Sequence, residues 1–143
     1  MQLTRHTDYA LRVLMYLTAN PDRVVTVIEL AKFYDISRNH LVKVVQGLVE
    51  HGFLHTTRGK NGGMQLAHSS KQISIGKVVR KMENHFNLVE CLDTELNACT
   101  LDGVCKLKAI LSRATDDFLS TLDDISLADI SKPKLRQLII NLQ

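Results

Sequence analysis

Residues 36–66 read ISRNHLVKVVQGLVEHGFLHTTRGKNGGMQL, and this stretch decides the fold. Ser37 precedes a run in which Leu41, Val44, Val45 and Leu48 recur at helical spacing, so the pattern predicts a helix over 38–50 with Ser37 as its N-cap. Gly52 fits the stop. The segments 53–57 and 64–66 can pair as strands across the basic, glycine-rich turn Arg58-Gly59-Lys60-Asn61-Gly62-Gly63. Upstream, 26–34 has the pattern of a second helix, with Val27, Leu30, Ala31 and Phe33 mostly inward, and Tyr34-Asp35-Ile36 is short enough to be a tight turn. Two helices around a tight turn are a weak signal for a helix-turn-helix. A hairpin with cations at its tip directly after them specifies a winged helix.

The rest of the chain extends this unit. The spacing of Tyr9, Ala10, Val13, Leu14, Tyr16 and Leu17 predicts an opening helix over 4–19, ended by Asn20-Pro21-Asp22. A further helix is expected over 74–85, capped by Ser74. A long one is expected over 102–122, where Val104, Leu107, Leu111, Ala114, Phe118 and Leu122 recur in steps of three and four. A helix of twenty residues is about 30 Å long, too long to bury its whole stripe against so small a domain. Pairing with the same helix of a second copy is the expected solution, so the chain is read as a homodimer. A last short helix is expected over 133–142, with proline in its first turn. The expected class is mainly α with a small β-hairpin wing: a winged helix-turn-helix plus a long dimerisation helix. The expected units are a DNA-binding domain over 1–86, a cysteine loop over 87–105, and a dimerisation and C-terminal helical part over 102–143.

Charge follows the same division. The 143-residue chain carries a net +3, but residues up to Phe86 hold twelve Lys/Arg against six Asp/Glu, and the remainder six against nine. A polyanion is expected on the basic half. Arg38, Asn39, His40 and Lys43, with Ser37, stand where a reading helix meets bases, since Arg and Asn match guanine and adenine edges in the major groove. Arg58, Lys60, Asn61, Gly62 and Gly63 form the wing tip, and Arg5 is placed to add a phosphate contact. The same residues would also serve as an ordinary solvated surface; helix, wing and charge together favour double-stranded DNA. Arg5, Asp8 and Arg12 interrupt any signal-like apolar start, and no run approaches the ~18 apolar residues of a membrane span. A soluble, cytoplasmic protein is expected, with no membrane partner. No P-loop, nucleophile elbow or HExxH pattern supports an enzyme.

The only three cysteines, Cys91, Cys99 and Cys105, fall within fifteen residues of one another. An odd count in a cytoplasmic chain argues against a disulfide framework. Structural zinc usually takes four ligands with a short Cys-x2-4-Cys bite; here the gaps are seven and five residues, and all six histidines lie before Asn87. Glu90, Asp93, Glu95 and Asp102 could complete a zinc site or simply solvate the loop. Free thiols and a redox pair stay open as alternatives. An iron–sulfur cluster fits better, because thiolates are its main ligands and a widely spaced loop can wrap it. A missing fourth thiolate would leave one iron with a weaker ligand, open to small molecules.

Several stretches together resemble the small bacterial iron–sulfur winged-helix regulators of the Rrf type. They are MQLTRHTDYALRVLMYL, ISRNHLVKVVQGL, RGKNGG and the three-cysteine segment ahead of a long helix, and the resemblance covers essentially the whole chain. SRNHLVK, the TRGKNGG wing and the lack of a histidine just after Cys105 are most similar to the family's nitric-oxide-sensing repressors. The branch that controls cluster assembly uses such a histidine as its fourth ligand; Leu107 and Lys108 stand there in this chain. The resemblance implies a 4Fe–4S or 2Fe–2S cluster on Cys91, Cys99 and Cys105, with a fourth ligand from Asp8 of the partner subunit. The seven-residue first gap is slightly longer than in some relatives, which bears on Cys99 most. From the residues alone, Asp8 is a surface carboxylate four positions before Arg12. The implied function is a repressor of nitric-oxide stress genes, with nitric oxide as its signal. A regulator of cluster assembly or iron availability uses the same parts, and a cluster-bearing electron-transfer protein would leave the winged helix unused.

Overall fold

The computed structural model describes residues 2–60, 62–93 and 95–141. Seven α-helices and one two-stranded hairpin order the described residues: α1 Arg5–Ala19, α2 Val27–Tyr34, α3 Arg38–Glu50, β1 Leu54–Thr57, β2 Gly63–Leu66, α4 Ile75–Met82, α5 Lys106–Asp123, α6 Leu127–Ile130 and α7 Pro133–Asn141. The class expected from the sequence, mainly helical with a hairpin wing, is the one observed.

Helix α1 lies at the centre, packed against α3, α4, α6, α7 and β2. Thr4 caps its start by accepting from the Thr7 amide, and Ala10, Val13, Leu14, Tyr16 and Leu17 are all buried. Each such aliphatic side chain contributes about 1.5–3 kcal/mol when fully buried. The facing residues are Leu41, Val44 and Leu48 of α3 and Val78 and Val79 of α4. Leu119, Leu127 and Ile139, from the last three helices, join the same core.

Polar contacts lock the junction of α1 and α2. Tyr16 Oη donates to Glu29 Oε1 at 2.6 Å, Arg23 Nη1 donates to Glu29 Oε2 at 3.1 Å, and Arg23 Nε donates to Asn20 Oδ1 at 3.0 Å. Burial alone would raise the Glu29 pKa; the Arg23 and Tyr16 bonds outweigh it and hold the carboxyl below its ordinary value. The turn after α2 runs through Asp35 in the left-handed region, φ 52°, a conformation that Asp tolerates better than most side chains.

The wing is anchored to the body rather than free. Leu54 pairs with Leu66 and Thr57 with Gly63, and Val25 and Met64 exchange backbone hydrogen bonds at 3.1 and 2.8 Å. A Cβ on Gly63 would sit 2.5 Å from the Val25 carbonyl oxygen, and one on Gly62 would sit 2.4 Å from that of Thr57. Both glycines are therefore required by close backbone approach, whatever else they touch.

Helix α4 meets the end of α5 just as closely. Ser74 caps α4 and its hydroxyl also donates to the Asp123 carbonyl at 3.1 Å, while Arg80 pairs with the Asp123 carboxylate at 2.6 Å. The Ile75 amide donates to the Ile125 carbonyl and the Leu127 amide to that of Ile73, both at 2.8 Å.

Two helix boundaries differ by three residues or more from those the sequence predicts. The long helix begins at Lys106 rather than 102, and α4 stops at Met82 rather than 85. Gly103 has φ 85°, and the Asp102 amide bonds back to the Cys99 carbonyl, so 101–104 form turns. Cys105 is consequently the N-cap residue of α5 and lies just before its first turn. Helix α6 was not expected; four residues carry no readable period, although Ser126 and Asp129 form a full capping box. No described helix is long and apolar enough to cross a membrane.

Candidate nucleic-acid interface and cysteine loop

Ser37 starts α3 with its hydroxyl accepting from the His40 amide, so its first job is the cap. Arg38, Asn39 and Lys43 are exposed on the first turns of that helix, three donors free to reach outward. His40 is half-buried, because its ring packs edge-on against Tyr9 with centroids 4.9 Å apart. Arg58 and Lys60 are exposed at the wing and Arg5 at the start of α1. Asn61 lies outside the described residues. Cations thus sit on the reading helix, on the wing and at the α1 start.

His6 packs between α1 and α3: a Cβ on Gly47 would sit 3.4 Å from its Nε2. Burial lowers its pKa below 6.5, the nearby His40 lowers it further, and Glu83 opposes both. The fold therefore favours neutral His6. As pH falls below 6.5 the unfolded chain takes up a proton that the folded chain resists, so stability declines until the folded value is passed. Thermal melts between pH 7.5 and 5.5 should show this decline in the wild type, and His6→Gln should flatten it.

Asp8 is half-buried on α1 and held by Arg12, with Oδ2 2.8 Å from Nη2 and Oδ1 accepting from Nε at 3.1 Å. This i to i+4 pair is the one its spacing suggested. Arg12 also lies over the Tyr9 ring, 5.7 Å from its centroid. A continuous line of contact therefore runs Asp8, Arg12, Tyr9, His40, from the first half of α1 to the reading helix. Aromatic residues one turn from a charged pair were the available signal.

Cys91, Cys99 and Cys105 are all free and partly exposed. Cys91 sits in a short 3-10 turn, Glu90–Leu92, that packs against α5. Cys99 lies in the turns ahead of α5, its amide donating to Asn97 Oδ1 at 3.1 Å. Among the described residues, no three His, Cys, Asp or Glu side chains are gathered at the spacing of a single metal ion. The donor set itself suits a cluster: three soft thiols without a bridge, at the surface, on a segment short of regular structure.

Lys108 in the first turn of α5 bonds Asp102 at 2.5 Å. That bond raises its pKa against a smaller opposing effect of burial, with the Asp102 charge, and then Cys91 and Cys99, acting in the same direction as the bond. Cys91 and Cys99 therefore lie within electrostatic reach of one ammonium.

A helical hairpin with an anchored, cation-bearing wing defines a winged-helix protein of the DNA-binding kind. The chain belongs to the Rrf2 family, described as iron-dependent transcriptional regulators, whose sequence model matches residues 3–133. It is 45% identical over 131 residues, 91% of this chain and 92% of the other, to the HTH-type transcriptional regulator NsrR of Bacillus licheniformis. It is 44% identical over 135 residues to the regulator of that name in Bacillus subtilis, covering 94% and 92% of the two chains. These relatives are regulators of transcription rather than enzymes. Among solved structures, the fold is similar to CymR, the global cysteine regulator of B. subtilis (TM-score 0.75, 22% identity, covering 92% and 96% of the two chains). It is also similar to T. potens IscR (TM-score 0.72, 19% identity, covering 91% and 85%).

Proposed function

We propose that this chain is a cytoplasmic, iron–sulfur-cluster-dependent repressor that senses nitric oxide and controls genes of nitric-oxide stress. The observation that carries the reading is one arrangement: three free, partly exposed thiols beside the start of α5, on a chain whose α3 and wing present exposed cations. The functional division is a DNA-binding part over 1–86, a cluster loop over 87–105 and a dimerisation and C-terminal part over 102–143.

Cys91, Cys99 and Cys105 hold a 4Fe–4S or 2Fe–2S cluster, and Asp8 of the partner subunit completes the ligand set. When bound, the cluster supplies an iron with a hard, labile carboxylate ligand, where nitric oxide can react. The chain's own residues do the rest. Asp8 exchanges its ion pair with Arg12 for the partner's site, and returns to Arg12 when that tie is lost. Arg12 stacks on Tyr9 and Tyr9 on His40, so the exchange is felt at the reading helix. A homodimer formed along α5 covers Leu107 and Ile110, now 58% and 55% exposed. It also sets two reading helices in successive major grooves of an operator, about 34 Å apart. Ser37, Arg38, Asn39, His40 and Lys43 face bases and nearby phosphates; Arg58, Lys60, Asn61, Gly62, Gly63 and Arg5 track the backbone.

Two measurements test this. Anaerobic absorption with iron and sulfide analysis should show a coloured protein containing both; a colourless, zinc-containing one overturns the cluster assignment. In operator titrations, Lys60→Ala should weaken binding to all sequences alike. It should also make the slope of log K against log salt shallower by about 0.9 for each phosphate the variant leaves un-neutralised. Arg38→Ala should instead relax preference at one base pair.

A further inference from the structure

We propose that Lys108, tethered by Asp102 and Asn97, is the cation that presets the cysteine loop for its cluster and offsets the negative charge gathered there. The inference rests on the cluster reading above and adds to it a positioning residue outside the ligand set.

The geometry is a closed chain of bonds. The Cys99 amide donates to Asn97 Oδ1 at 3.1 Å, and Asn97 Nδ2 donates to Asp102 Oδ2 at 2.5 Å. Lys108 Nζ donates to Asp102 Oδ1 at 2.5 Å, and the Asp102 amide returns to the Cys99 carbonyl at 3.2 Å. Asp102 thus ties the turn that carries Cys99 to the first turn of α5, and Cys91 rests on the same helix through its 3-10 turn. Both cysteines bear electrostatically on Lys108.

Helix energetics make the position informative. The first turn of α5 carries Lys106 and Lys108 and no acid, although the positive end of the helix dipole disfavours cations there. A lysine kept against that gradient needs a compensating anion. Asp102 supplies one through Oδ1, while its Oδ2 accepts from Asn97. The cysteines would add negative charge beside it once they bind a cluster as thiolates. The ammonium then serves twice: it holds the loop before the cluster arrives, and it favours the more negative, reduced state afterwards.

The test compares full-length wild type with Lys108→Gln, Asp102→Asn and Lys108→Arg. In cluster-free protein, deuterium exchange at the Cys99 amide should quicken about threefold to tenfold in Lys108→Gln and return toward wild type in Lys108→Arg. After anaerobic reconstitution with ferrous iron and sulfide, spectroelectrochemical titration reads the charge effect. Lys108→Gln should make cluster reduction about tenfold less favourable, the scale of one charge at ~10 Å in a partly solvated site. Asp102→Asn, which leaves the ammonium unneutralised, should shift it the opposite way. A purely structural role for the two residues would move both variants together. Equal-signed shifts, no shift, or unchanged exchange in Lys108→Gln would overturn the proposal. A wild type that takes up no cluster would defeat the functional reading instead, and the exchange measurement alone would then decide whether Lys108 orders the loop.

Discussion

Cys105→Ala should leave the winged helix folded and abolish both the cluster and cluster-dependent operator binding. The structural cost is small because the thiol has no structural partner. Cys105 is the N-cap residue of α5 but makes no side-chain capping bond, and it is free and partly exposed. Replacing such a group changes stability by about 0.5 kcal/mol or less. The functional cost is large because the ligand set is already minimal. With one thiolate gone, two cysteines and one carboxylate cannot hold a cluster against loss. Operator affinity should then fall by about 5- to 150-fold, the usual range of coupling between two sites. Melting of the iron-free proteins, visible absorption after reconstitution and operator anisotropy measure the three parts separately. Cys91→Ala and Cys99→Ala should behave alike. A Cys105→Ala protein that keeps its colour would remove Cys105 from the ligand set.

Gly76→Ala should destabilise the fold through the joint of α4 and α5. An added Cβ would lie 2.1 Å from Asp123 Oδ1, 2.6 Å from its amide nitrogen and 2.8 Å from its Cα. The carboxylate could rotate away, at the expense of the Arg80 ion pair. The backbone atoms can yield only if the end of α5 moves. Overpacking of this kind costs about 1–3 kcal/mol. Alanine's better helix propensity returns up to about 1 kcal/mol, so the net effect is a loss on the order of 1–2 kcal/mol. Melting should fall by about 2–4 °C per kcal/mol. The joint also aims α5, whose eighteen residues span about 27 Å. A tilt of about 5° at Asp123 displaces the cysteine end by about 2 Å, by the same helix geometry. Operator affinity of the reconstituted protein should therefore fall by more than the stability loss alone explains. Unchanged or higher melting would show that the joint has slack.

Much of the fold was legible because its signals are local. Ser37 before an apolar helical period, Gly52 after it and glycines around Arg58 and Lys60 each dictate backbone conformation within a few residues. The missed features depend on contacts that leave no period or cap in the sequence, some distant along the chain and some within a few residues. Gly63 reads as a wing-tip residue, yet the bridge between Val25 and Met64 leaves no room there for a Cβ. The start of α5 reads as 102 because the apolar stripe begins at Val104; Gly103 and the bonds of Asp102 delay it, and Val104 is left 82% exposed. The cysteine loop carries no period, so its chemistry was readable and its shape was not. Spacing alone gave Asp8 and Arg12 as a pair, whereas the stack of Arg12 on Tyr9 and Tyr9 on His40 needed three dimensions. So did the tie from Cys99 through Asn97 and Asp102 to Lys108.

Cluster-dependent repression is tested most directly by operator binding of anaerobically reconstituted protein, titrated with nitric oxide while its visible absorption is followed. The reconstituted protein should bind tightly, and absorption and binding should fall together as nitric oxide reaches a few equivalents per cluster. Operator binding that persists after the absorption has collapsed would contradict cluster dependence.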